Sequence, residues 1–133
     1  IRLLAGKKMG MGDVKGKVLP KVSLLSKSVN KNSIISRYFT PYSCHETHAV
    51  TGTCCVASSC LIPDTVGFRL LDKKESLNSN SEIIKIEHPM GFIDCIIVLN
   101  SNFKNNLVSK KDLVKSCGIY RTSRILMKGQ VYF

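Results

Sequence analysis

Residues 49–63 read AVTGTCCVASSCLIP, and no other stretch restricts the fold as tightly. Ala49, Cys54, Cys55, Ala57, Ser58, Ser59 and Cys60 are small nearly all the way round a helix, which leaves no bulky polar face for solvent. A helix of this kind tolerates close neighbours on every side. The run predicts a buried central helix over about 49–61, ended by Pro63.

The rest of the chain supplies the neighbours. KVLPKVSLLS (17–26), IISRYFT (34–40), IIKIEHP (83–89), FIDCIIVLN (92–100), VKSCGIYR (114–121) and RILMKGQVYF (124–133) carry the β-branched and aromatic weight of strands. Pro20 suits an edge or a bulge. SVNKNS (28–33) and Met90-Gly91 read as turns, and 71–82 and 100–112 as polar loops. Residues 1–8 read as the last turns of a helix stopped at MGMG. The expected class is α+β: a mostly antiparallel, β-barrel-like sheet wrapped around one buried central helix.

At 133 residues and 44% hydrophobic, the chain suits one domain with its own core. No apolar run approaches the ~20 residues of a membrane span, and IRLLAGKKMGMGDV is not a secretory signal. A cytoplasmic location with reduced, mostly buried cysteines is expected, with no membrane partner. The chain starts at Ile1 without an initiator Met, which reads as a piece of a longer protein. Twenty basic against nine acidic residues give a net charge of +11. That balance fits an anionic ligand. Nucleic acid is disfavoured, because the lysines are scattered, arginines are few and no recognised module accompanies them.

CHETHAVTGTCC (44–55) carries the densest chemistry. Cys44, His48, Cys54 and Cys60 do not follow the paired knuckle spacing of closed zinc sites, and no metal is expected. Cys44 with His45 is a poor nucleophile–base pair, since neighbours in an extended segment point to opposite faces. Cys44 with His48 shares parity but shows no third, orienting residue. An anion cradle is the third reading. Thr51, Gly52 and Thr53 fall where a strand would turn into the helix, so free N–H groups and the positive helix end meet a ligand there. A plain helix cap is the alternative, and these residues alone leave the two even. EHPMG, with His88 and Gly91, and YRTSR, with Arg121 and Arg124, are weaker signals for a turn presented to a site and a carboxylate clamp.

AGKKMGMGDV, VLPKVSLL, THAVTGT, LIPDTV, IKIEHPMG and RTSRILMKGQVYF follow in order the pattern of the PrpF family, the methylaconitate isomerase-like proteins, and the chain resembles the C-terminal part of such a protein. The resemblance implies one half of a diaminopimelate epimerase-like fold, with residues 1–12 the end of an interdomain helix and an N-terminal domain missing. It implies an isomerase that moves a proton and a double bond in unsaturated di- and tricarboxylates, with no cofactor. Thr51, Gly52 and Thr53 would hold a substrate carboxylate, with His48 beside them and, less directly, His88 and the arginines at 121 and 124. The family's related epimerases carry a catalytic cysteine at this turn. Val50 stands there and transfers no proton, so the acid–base groups are expected in the N-terminal domain, with His48 the one candidate in this half. A homodimer is left open. HPMG replaces HPSG and IPDT replaces IPGT, which puts Met90 and Asp64 at two departures. A non-catalytic anion-binding or structural fragment is the competing reading.

Overall fold

A computed structural model describes residues 1–72, 80–101, 109 and 112–132. Much of the loops expected at 71–82 and 100–112 lies outside these residues. The elements are α1 (Arg2–Lys8), β1 (Val22–Lys27), β2 (Ser33–Phe39), α2 (Val50–Ser59), α3 (Val66–Leu70), β3 (Ser81–His88), β4 (Gly91–Leu99) and β5 (Val114–Ile119). Among the described residues no helix is long and apolar enough to cross a membrane.

The five strands form one open sheet in the order β1-β2-β3-β4-β5. β1 pairs antiparallel with β2, β3 with β4, and β4 with β5, while β2 and β3 run parallel through Ser33↔Lys85, Ile34↔Ile86 and Ile35↔Glu87. The parallel pair follows from what separates its strands: the connection holds α2 and α3, a crossover rather than a hairpin. The α+β class agrees with expectation. The barrel-like wrap does not, because the sheet stays open. The sixth expected strand, 124–133, forms no strand among its described residues, and Ile125, Leu126, Met127, Val131 and Tyr132 are exposed.

One face of the sheet makes the core. Ile34, Ile84, Ile86, Cys95, Ile97 and Leu99 alternate along β2, β3 and β4 with outward residues, as the two-residue strand period requires. Val56, Ala57, Cys60 and Leu61 of α2 and the turn after it close that core from above. The helix forms where the small-residue run places it, but it is not enclosed. Thr53, Val56 and Ala57 are buried within it, whereas Val50, Thr51 and Cys55 are exposed. Small side chains here allow close approach on particular sides. A Cβ on Gly52 would stand 2.6 Å from Tyr38 Cε2 of β2, and one on Gly67 of α3 would strike Ser59 Oγ.

The helix α3 was not anticipated. Thr65 caps it, its hydroxyl accepting from Phe68 N at 3.2 Å, and Thr65 also donates to the Ile62 carbonyl at 2.9 Å. Glu87 of the central strand β3 ties down the β1–β2 turn, accepting from Asn30 Nδ2 at 2.9 Å and Ser28 Oγ at 2.7 Å. These donors hold the Glu87 carboxyl below its usual range.

Candidate functional site

The segment between β2 and α2 doubles back over the end of the sheet. His45 N–H donates to the Tyr38 carbonyl at 2.7 Å, and Cys44 bridges Phe39. The chain then enters α2 at Ala49, whose extended backbone makes it the N-cap. Its carbonyl accepts the first helical bond, from Thr53 N at 2.8 Å. The N–H groups of Val50, Thr51 and Gly52 precede that bond, at the positive end of the helix.

His48 fastens this entrance to the sheet. It is 5% exposed and stacks on Tyr38 with ring centroids 4.5 Å apart. Its Nε2 lies 3.0 Å from Ser36 Oγ, and its Nδ1 3.1 Å from Thr53 Oγ1 and 3.3 Å from the Ala49 carbonyl. One hydrogen arrangement satisfies every contact. Thr53 donates to the Ala49 carbonyl at 3.0 Å, His48 Nδ1–H donates to the Thr53 hydroxyl and Ala49 carbonyl, and Nε2 accepts from Ser36. Burial lowers the imidazole pKa, so the ring is neutral near pH 7. A neutral histidine with both nitrogens engaged inside the protein positions the helix. No lone pair remains for a substrate proton.

Thr51 and Gly52 line one end of an open cleft of about 390 Å³ that runs along the side of α2 past Cys55 to Ser59, opposite Leu19, Lys21 and Tyr38. Lys21 Nζ sits 5.5 Å above the Tyr38 ring and brings positive charge to a cleft that already holds a helix N-terminus. Thr53 is turned the other way, fully buried, with its N–H and its hydroxyl both given to Ala49. The three residues expected to act together as donors are thus split: Thr51 and Gly52 face the cleft, and Thr53 supports His48 behind it. The sequence reading did not single out Lys21 or Tyr38. Lys21 lies in VLPKVSLL just before β1, and only the fold brings it to the cleft beside α2.

His88 ends β3 against the same loop. Its Nδ1 accepts from Met90 N at 3.3 Å, and the same Met90 N–H reaches the Glu46 carbonyl at 3.2 Å. Burial lowers its pKa, with smaller contributions from Arg37 and His45. The EHPMG turn therefore meets CHETHAV, although His88 lines a different cleft, with Lys31, Arg37, Lys85, Glu87 and Phe92. Arg121 lines a third with Phe92, Asp94, Tyr120 and Thr122, and Arg124 is exposed. Neither arginine shares the cleft of Thr51 and Gly52. Cys44, exposed, donates weakly to the His45 carbonyl, and no imidazole activates it. Cys44, His48, Cys54 and Cys60 do not converge: Cys60 is buried at the far end of α2, its thiol pushed up to about 12 by burial.

The chain matches the PrpF protein family over residues 1–133. It is 36% identical over 132 residues to YbhH of Escherichia coli K12, covering 99% of this chain and 34% of that protein. It is 32% identical over 131 residues to the 4-oxalomesaconate tautomerase of Pseudomonas putida KT2440, covering 98% of this chain and 33% of the relative. The crystal structure of methylitaconate-delta-isomerase superimposes with a TM-score of 0.62 at 21% identity, covering 90% of this chain and 34% of that one, a likeness of fold. These relatives carry isomerase and tautomerase names, and the solved structure shares the fold. The chain belongs to the PrpF family, and it spans about a third of the length of these relatives.

Proposed function

We propose that this chain is the carboxylate-binding part of a cofactor-independent isomerase acting on unsaturated di- or tricarboxylates of the methylaconitate or oxalomesaconate type. The reaction removes an allylic proton beside a carboxylate and returns one at the other end of the three-carbon system, shifting the double bond. The carrying observation is the open N-terminal turn of α2, where Thr51 and Gly52 face a cleft that also holds Lys21. N–H groups aimed at a carboxylate stabilise the charge that grows on it as the proton leaves. Gly52 leaves room for the Tyr38 ring against the helix entrance, and Thr51 adds a hydroxyl donor to the cleft.

The groups that move the proton belong, on this reading, to the remainder of a longer protein. Val50 has no titratable atom, and His48 has both nitrogens engaged. That same engagement favours the second reading, a carboxylate-binding unit without chemistry of its own. An exchange experiment separates them. The chain alone and the longer protein containing it are incubated with an oxalomesaconate-type acid in deuterated water. Deuterium incorporation by the longer protein only is the expected result. Exchange by neither protein would leave the binding unit, and exchange at full rate by the chain alone would place the base here.

A further inference from the structure

On the face of α2 that packs against β4 and β5, three thiols from three elements converge. The registers Cys95↔Ile119 and Ile97↔Cys117 put Cys95 and Cys117 diagonally on the inner face of the sheet, and α2 lays Cys54 over them. Their sulfurs lie within 4.8 Å of one another, Cys95 Sγ and Cys117 Sγ 3.3 Å apart. Cys117 Sγ is 3.7 Å from the Cys54 carbonyl. All three are free thiols.

We propose that Cys54, Cys95 and Cys117 form a trigonal three-thiolate site for a soft monovalent cation of the copper(I) class. With metal–sulfur bonds of about 2.3 Å, a planar trigonal ion holds its sulfurs roughly 4.0 Å apart. The Cys95–Cys117 separation of 3.3 Å is shorter than that value and no pair exceeds 4.8 Å, so small side-chain rotations bring the three sulfurs to the trigonal spacing. Thiolates select soft ions. Zinc takes four ligands, and among the described residues this group offers three. Cys95 is fully buried, while Cys54 and Cys117 are half-buried, which leaves an access path along their edge. Without the ion, burial raises the Cys54 and Cys95 pKa values and keeps these thiols protonated and unreactive. Each sulfur releases its proton on binding and no electron moves. One monovalent ion on three thiolates carries two net negative charges, in a chain whose formal charge is +11. Affinity rises with pH, since protons compete.

The test supplies copper(I) to the whole chain without oxygen, against a chromophoric copper(I) chelator and then glutathione, with X-ray absorption on the loaded protein. One equivalent retained, with three sulfur neighbours at about 2.3 Å, is expected. Cys54→Ala and Cys117→Ala, each checked by circular dichroism, should weaken retention beyond the about 100-fold typical of losing a supporting contact. Cys44→Ala should leave it unchanged. Two sulfur neighbours in the wild-type spectrum, loss of the ion to glutathione, or equal retention by Cys54→Ala would each overturn the proposal. The spectrum and the glutathione result need no variant to fold.

Discussion

His48 shows how a residue can sit at a site and still be spent on structure. Its ring joins Ser36 of β2 to Thr53 of α2, and all three side chains are buried. Removing the ring leaves the buried Ser36 hydroxyl without its acceptor, at about 1–3 kcal/mol when nothing replaces it, and opens a cavity beside Tyr38, while Thr53 keeps its bond to the Ala49 carbonyl. His48→Ala should therefore lower chemical-denaturation stability by about 2–4 kcal/mol. The pH dependence has a definite sign. Because the folded pKa is depressed, the unfolded chain binds the proton first. Stability is full above the unfolded imidazole value of 6.5 and falls as pH drops below it. His88 adds a fall of the same sign. Denaturation midpoints between pH 7 and pH 5 should fall less steeply in His48→Gln, and an unchanged slope would refute the assignment. Asp64 offers a second residue-scale test. It adopts φ +72°, where a Cβ is strained, and the sequence already marked it as standing where the family uses glycine. Asp64→Gly should be more stable than Asp64→Ala by about 1 kcal/mol, since both lose the carboxylate and only alanine keeps the strain.

Among the elements, α2 carries most of the argument. Its composition gave its position to within two residues and misled on its surroundings, because small residues allow close approach without stating from how many sides. Here they admit Tyr38 at Gly52 and α3 at the far end, and one side stays open. Gly52→Ala gains about 1 kcal/mol of helix propensity but must displace a ring carbon 2.6 Å away, an overpacking of typically 1–3 kcal/mol. A net loss in thermal unfolding is the expected outcome, partly restored by Tyr38→Leu. Gly52→Val adds bulk beside the helix N-terminus as well. On the proposed function, a longer protein containing this chain should lose turnover about tenfold or more with this change, and full activity would remove the α2 cleft from the mechanism. The short α3 escapes notice because five residues are too few for periodicity to register, and the sixth strand, which does not form among the described residues, is suggested by exposed apolar residues such as Ile125 and Leu126.

For the molecule as a whole, the decisive point is that the cleft holds donors and positive charge while His48 lies behind it with both nitrogens engaged. Mixing the chain with an oxalomesaconate-type acid should give saturable binding that weakens with salt, because Lys21 is a surface charge, and no isomerisation. The ordered motifs identified the PrpF family correctly. Residue type and spacing determined that α1, α2 and the strands up to β5 exist roughly where they do, since period and side-chain size act locally along the chain. They also made the α2 entrance the expected anion cradle, which the binding measurement above tests. Only the tertiary structure decided the rest. It left the sheet open, turned Thr53 inward and Thr51 outward, closed both nitrogens of His48, and gathered Cys54, Cys95 and Cys117 from positions up to 63 residues apart. Each of these depends on strand register and on which face of α2 meets the sheet, and those are set by long-range packing that no local pattern encodes.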